Sequence, residues 1–266
     1  MPALGQGTWN LGDDPARRRA ELDALRLGVE LGMTLIDTAE MYGDGRSESL
    51  VGEAIAGLRD KVFLVSKVLP QNASRKGVAQ SCAASLRRLK TDRLDLYLLH
   101  WSGSHPLEET VRGFEDLAAA GKIRAWGVSN LDLDEMTRLV ALPGGKACAT
   151  NQVLYNLSRR GIEFDLLPWS QKRGMPVMAY SPVEQGRILG HKALRAVARR
   201  IGATPAQVAL AWVLRQDGVV AIPKAATLSH VRENRAAQDV RLGKEDLAAL
   251  DRAFSPPSSP TPLEMI

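Results

Sequence analysis

Asp37, Tyr42, Lys67 and His100 are residue types that together can hand a proton to a carbonyl oxygen, provided something else delivers a hydride. Each lies at or soon after the end of a short apolar run. Met33-Thr34-Leu35-Ile36 leads to Asp37 and then Tyr42, Val62-Phe63-Leu64-Val65 to Lys67, and Leu96-Tyr97-Leu98-Leu99 to His100. A free tyrosine, with a pKa of about 10, is a slow proton donor at neutral pH. A nearby ammonium favours the phenolate and lowers that value. Lys67 could therefore tune Tyr42, with Asp37 pairing to keep the amine charged and oriented. A neutral His100 could direct a carbonyl oxygen between imidazole and phenol, giving general-acid catalysis with stabilisation of a developing alkoxide. Singly, each residue also has a plainer role open to it. Asp37 could cap a turn, Lys67 end an exposed strand, His100 be a satisfied core histidine, and Tyr42 pack within Met41-Tyr42-Gly43-Asp44-Gly45.

The elements that must position these residues follow from hydrophobic periodicity. Strands are predicted over 3–7, 34–37, 62–66, 94–99, 123–128, 147–152, 177–180 and 219–222. Helices are predicted over 17–31, 48–58, 75–89, 107–120, 133–140, 164–173, 205–216 and 229–237. In the third helix Val78, Cys82, Ser85-Leu86 and Leu89 recur at helical spacing, and Gly121 is placed to end the fourth. Strands apolar on both faces point to a parallel sheet covered by helices. Eight such units without a composition break predict one closed (β/α)8 barrel, a single domain over 1–266. An open doubly wound sheet fits less well, because Gly5-Gln6-Gly7 lacks the third glycine and downstream acid of a dinucleotide-binding turn. In a barrel, residues at the C-terminal strand ends face one shared site.

Composition narrows the partners. The 266 residues are 45% hydrophobic and 24% charged, an ordinary soluble globular balance. A net charge of +5 and a pI near 9.4 fit either an Arg-rich solvated surface or a local basic site for an anionic cofactor. Nucleic-acid binding would need a clustered basic stripe, and none is visible. Cys82 and Cys148 lack metal-ligand spacing, as do His100, His105, His191 and His230, so free thiols and no metal are expected. No apolar run approaches the roughly 20 residues needed to span a bilayer, and the N-terminus has no secretory pattern. A cytoplasmic monomer is expected. The tail Ser255-Pro256-Pro257-Ser258-Ser259-Pro260-Thr261-Pro262 cannot be helix or central strand. It is either a loose terminus or an extended segment over the barrel mouth.

Taken in order, the motifs are specific, and the chain resembles the aldo-keto reductases over nearly its whole length. Leu35-Ile36-Asp37-Thr38-Ala39 with Tyr42, Glu48, Val51 and Gly52 is similar to the first family signature. Val65-Ser66-Lys67-Val68 is similar to the segment around the family's lysine, and Leu98-Leu99-His100-Trp101 to its histidine strand. Gly127-Val128-Ser129-Asn130 and Ile222-Pro223-Lys224 resemble two further motifs.

The resemblance implies reduction of small aldehydes or ketones by NADPH, in a bacterial-type branch that includes methylglyoxal and sugar-derivative reductases. Asp37, Tyr42, Lys67 and His100 would form the catalytic tetrad with Tyr42 as proton donor. Ser129, Asn130 and Gln152 would hold the nicotinamide carboxamide, with Tyr180 stacked on the ring. Gly7, Thr8 and Trp9 would lie near cofactor and substrate, and Trp9 and Trp101 would wall the substrate pocket. Ser181-Pro182-Val183, with Arg187, would follow the pyrophosphate. Lys224 and Thr227 would approach the adenosine phosphate, and Glu233 and Asn234 the adenine.

The chain departs from the family pattern in places. His230 stands where an arginine often packs on the adenine and 2′-phosphate, and Ala225 where a serine often follows the lysine. Arg232 has the wrong spacing to replace that arginine directly, but Lys224 still favours NADPH over NADH. The N-terminal hairpin that closes the barrel floor in relatives is missing before Pro2-Ala3-Leu4, which predicts a more open floor. An alternative on the same fold is a redox-silent nicotinamide-binding regulatory protein.

Overall fold

The computed structural model describes residues 1–266. Eight strands alternate with helices. They are β1 (Gly5–Gly7), β2 (Leu35–Asp37), β3 (Phe63–Val68), β4 (Leu94–Leu99), β5 (Ile123–Ser129), β6 (Cys148–Leu154), β7 (Val177–Tyr180) and β8 (Val219–Ala221). Every neighbouring pair is parallel and in sequence order. The sheet closes on itself, since Ala221 N–H donates to the Ala3 carbonyl and Gly7 N–H to that of Pro223. The predicted (β/α)8 barrel is the fold observed.

The first six helices are α1 (Arg18–Glu30), α2 (Arg46–Ala54), α3 (Arg75–Leu89), α4 (Leu107–Ala119), α5 (Leu133–Ala141) and α6 (Leu166–Lys172). Between β7 and β8 the sequence pattern predicts one helix and the structure has two, α7 (Lys192–Ile201) and α8 (Pro205–Leu214). After β8 come α9 (Leu228–Ala236) and α10 (Lys244–Ala253), the second also absent from the predicted set. Both extra helices are short and charge-rich, so their apolar stripes are narrow. Leu194, Val197 and Ala198 are the buried face of α7, and Leu250 is the apolar anchor of α10. No helix is long and apolar enough to cross a membrane.

Strand side chains alternate between two apolar layers. An outer cluster of 56 buried residues lies between strands and helices, and a separate inner cluster comprises Leu35, Val65, Leu96, Leu98, Met178, Val220 and Ile222. A fully buried aliphatic side chain of this kind contributes about 1.5–3 kcal/mol. At the lower end, Phe63, Ala125 and Ala149 complete the inner layer and are only half-buried. Gly7 is needed where β1 meets the chain after β8, because a Cβ there would sit 2.7 Å from the Ile222 carbonyl oxygen.

The tail resolves in favour of the extended segment. Thr261 lies against Gly161, Glu264 pairs with Arg159, and Met265 and Ile266 reach the cleft at the barrel mouth.

Candidate active site

The parity that builds the inner core also aims the polar residues. Asp37 follows Leu35 by two positions, Lys67 follows Val65, and His100 continues Leu96 and Leu98, so all three enter the barrel at its C-terminal end. Their neighbours of opposite parity point outward; Ser66 donates to the buried Glu48 carboxylate, which pairs with Arg88 between α2 and α3. Tyr42 comes from a short turn, Tyr42–Gly45, in which Gly43, Asp44 and Gly45 have φ of 56°, 52° and 86°. Three successive left-handed residues reverse the chain so that Tyr42 meets the strand ends.

The groups converge. Lys67 Nζ donates to Asp37 Oδ2 at 2.7 Å, to the Thr38 carbonyl at 2.9 Å, and lies 3.0 Å from the Tyr42 hydroxyl. Gln152 Nε2 donates to Asp37 Oδ1 at 2.8 Å, so both carboxylate oxygens are held. The Tyr42 and His100 rings meet edge to face at 5.8 Å. Lys67 is 0% and Asp37 2% exposed, so this ion pair is shielded from water.

Burial sets the proton affinities. Burial disfavours the Lys67 ammonium, but the Asp37 charge, with Tyr42 and their hydrogen bonds, outweighs it and holds the amine above its ordinary value. The expected lowering of Tyr42 is not the net outcome. Burial raises the phenol, Lys67 pulls it down, Asp37 pushes it up, and the balance lies above the ordinary tyrosine value. The phenol is therefore fully protonated at neutral pH, with the ammonium placed to stabilise the anion left after proton transfer.

His100 behaves as expected of a neutral imidazole. Burial, and after it the Lys67 charge, drives its pKa down to about 2. Its Nδ1 is buried without a partner. An unpaired buried N–H costs about 1–3 kcal/mol, so the proton belongs on Nε2, the nitrogen open to the cleft. A histidine depressed from about 6.5 in the unfolded chain binds fewer protons folded than unfolded. Its contribution is complete above about 6.5 and falls away as pH drops toward about 2. His100→Gln is expected to flatten the decline of urea midpoint with acidity below pH about 6.5. An unaltered acid limb would show that the imidazole protonates freely in the native state.

These residues sit at one end of a cleft of about 570 Å³. Trp9, exposed at the rim, and Trp101, tilted against His100 at 4.7 Å, flank the tetrad. Farther along, Tyr180 donates to Asn130 Oδ1 at 3.0 Å, and Asn130 Nδ2 donates to the His100 carbonyl and Ser129 Oγ. Asn130 and Ser181, at the ends of β5 and β7, have φ of 58° and 47°, strained conformations that often mark functional sites. Gly7, Thr8, Gln152, Ser181 and Val183 line the middle, and Lys224, His230, Glu233 and Asn234 the far end.

Four residues singled out in the sequence lie outside the lining; one is Lys67, which is fully buried and bonded to Asp37 and Tyr42. Arg187 is turned to Glu184, at 2.7 Å. Ala225 packs on the outer core, and Thr227 caps α9 by accepting from His230 N–H. Among others that also line the cleft, sequence reasoning missed Asn10, Met41, Gln185, Leu189, Met265 and Ile266. They lie on loops and tail, where neither period nor motif signals a shared surface. It also missed the second role of Gln152, clamping a carboxylate 115 residues away.

Comparison with known proteins agrees with this geometry. The model of the aldo/keto reductase family matches residues 3–254. The chain is 57% identical to the methylglyoxal reductase YeaE of Escherichia coli K12, over 100% of this chain and 95% of that one. It is 32% identical to the methylglyoxal reductase DkgB of Escherichia coli O157:H7, over 94% and 93% of the two chains. An aldo-keto reductase of Klebsiella pneumoniae solved with NADPH superposes with a TM-score of 0.98 at 54% identity, covering 100% of this chain and 95% of that one. With the barrel, the strand-end residues and these relatives in agreement, the chain belongs to the aldo/keto reductase family.

Proposed function

We propose that this protein reduces small aldehydes or ketones with NADPH, Tyr42 donating the proton. The observation that carries the reading is the protonated Tyr42 hydroxyl 3.0 Å from a buried ammonium that Asp37 holds in place, at the mouth of a cleft. Relatives named as methylglyoxal reductases, and a neighbour solved with NADPH, support it.

The cleft fits a nicotinamide dinucleotide. Tyr180 offers an aromatic plate whose hydroxyl is fixed by Asn130, while Lys224, which forms no ion pair, lies at the far end beside the N-terminus of α9. Bound there, the cofactor supplies the hydride. We assign Ser129, Asn130 and Gln152 to the carboxamide, with Gly7, Thr8, Trp9, Ser181 and Val183 beside the dinucleotide. Lys224, His230, Glu233 and Asn234 are assigned to the adenosine end. His100 Nε2–H and the Tyr42 hydroxyl orient the carbonyl oxygen between them. During reduction the Tyr42 proton would pass to the carbonyl oxygen, and Lys67 would stabilise the phenolate until solvent restores the proton. Trp9, Trp101, Met41, Met265 and Ile266 make the substrate end aromatic and apolar, which suits short uncharged carbonyl compounds. One chain supplies all four groups, as a monomer requires, and the two buried, unpaired cysteines suit a reducing cytoplasm.

The test is oxidation of NADPH, followed by the absorbance of the reduced nicotinamide, against a panel of aldehydes and ketones. Tight NADPH binding without turnover of any of them would favour a redox-silent regulator instead. For the cofactor, Lys224→Ala is expected to raise the NADPH Kd roughly 10- to 100-fold, the value of a charge-assisted hydrogen bond, and to change NADH binding little. Equal losses for the two nucleotides would remove Lys224 from the 2′-phosphate.

A further inference from the structure

A chain of buried hydroxyls lies behind the tetrad. Thr8, Thr38 and Ser47 are each 0% exposed. They come from the end of β1, the end of β2 and the first turn of α2. Thr38 Oγ1 lies 3.3 Å from Ser47 Oγ, Ser47 Oγ lies 2.8 Å from Thr8 Oγ1 and 3.0 Å from the Thr8 carbonyl, and Thr8 Oγ1 lies 3.0 Å from the Asp37 carbonyl. Each hydroxyl has one proton to give, and the Asp37 carbonyl can only accept. One arrangement gives every hydroxyl a single donated bond: Thr38 donates to Ser47, Ser47 to the Thr8 hydroxyl or carbonyl, and Thr8 to the Asp37 carbonyl.

Both ends of this chain are residues that hold Lys67. Asp37 accepts from the ammonium through its carboxylate, and Thr38 accepts from it through its carbonyl. The middle member, Ser47, also closes the segment that carries Tyr42. The turn Tyr42–Gly45 has left-handed residues at Gly43, Asp44 and Gly45, and Gly45 gives α2 no side-chain cap. Its side-chain ties beyond Ser47 include Arg46 with Asp13, an exposed pair at 3.0 Å of the kind worth little.

We infer that Ser47 is a positioning residue for proton transfer, fixing the Tyr42 turn and the acceptors of Lys67 relative to one another through Thr8 and Thr38. The inference rests on the assignment of Tyr42 as proton donor. Removing the Ser47 hydroxyl leaves a donor on Thr38 and an acceptor on Thr8 unmatched in a dry interior. The strand ends and the tyrosine turn then lose their shared register, and a small misplacement at the reacting atoms is expensive in rate.

The experiment compares Ser47→Ala with Thr110→Val, which removes a buried hydroxyl bond from the first turn of α4 to the Ala73 carbonyl before α3, outside the lining of the cleft. Ser47→Ala is expected to lower kcat about tenfold or more, the rate equivalent of one hydrogen bond. The NADPH Kd should hold, and the solvent deuterium isotope effect on kcat should rise as proton transfer becomes slower. Thr110→Val should lose stability without moving the isotope effect. If Ser47→Ala does not fold, Thr38→Val, which keeps side-chain shape and the backbone carbonyl, is expected to show the same signature more weakly. Loss of stability with unchanged kcat and isotope effect in the folded Ser47 or Thr38 variant would overturn the inference. Failure of the underlying assignment would instead appear in the unsubstituted protein, as absence of carbonyl reduction.

Discussion

Tyr42→Phe is expected to lower kcat for carbonyl reduction by roughly 10²–10⁴-fold, the usual contribution of a positioned general acid. NADPH affinity should stay within a factor of about two, a small fraction of the 1.4 kcal/mol that separates tenfold steps. The substitution removes one oxygen. The ring remains to pack edge to face on His100 and to lie under the Lys67 ammonium, 4.7 Å from the ring centroid. Lys67 keeps its bonds to Asp37 and the Thr38 carbonyl. The variant should therefore fold, with a stability loss near the ~1 kcal/mol of one hydrogen bond. Steady-state turnover with a good aldehyde, beside nucleotide titration by tyrosine and tryptophan fluorescence, separates chemistry from binding. An unchanged kcat would remove Tyr42 as the acid. A rise in KM alone would make the hydroxyl a uniform binding contact rather than one realised in the transition state.

The legible part of this site is the part that strand periodicity controls. Asp37, Lys67 and His100 share parity with inward-facing apolar residues of their own strands, so their convergence follows once the eight units close into a barrel. Tyr42 is different. Its place depends on consecutive positive φ values at Gly43, Asp44 and Gly45, which the glycines permit but do not demand. The bond from Gln152 to Asp37 spans the barrel between β2 and β6, and only the closed tertiary structure creates it. The sign of the Tyr42 shift was also beyond the sequence, because it is the balance of burial against the Lys67 charge. Burial is a property of the packed site. The two extra helices were less hidden. The buried residues of α7, Leu194, Val197 and Ala198, stand at helical spacing but are diluted by Lys192, Arg195, Arg199 and Arg200. The tail could not be placed in advance, since its proline-rich run excludes helix and leaves the destination to contacts such as Glu264 with Arg159.

The buried ion pair separates stability from catalysis. Lys67→Met leaves the Asp37 carboxylate 2% exposed with Gln152 as its remaining side-chain donor. Breaking a buried pair on one side typically costs about 3–5 kcal/mol. Lys67→Met is expected to lose that much by urea unfolding and to lose most of its turnover. Asp37→Asn added to Lys67→Met removes the stranded charge, keeps the shape, and allows the new amide to meet the Gln152 side chain once that amide reorients. The double variant should recover most of the lost stability, because replacing both partners of a buried pair is often close to neutral. Its turnover should not recover, since no ammonium remains within 3.0 Å of the phenol to stabilise the anion left by proton transfer. A double-mutant cycle in unfolding free energy should therefore show strong non-additivity, while the cycle in kcat shows little gain over the lysine variant. Additive losses of stability would mean that the two charges are not coupled in the native protein. Recovery of turnover would mean that Lys67 serves only to keep Asp37 company, and that the proton leaves Tyr42 without its help.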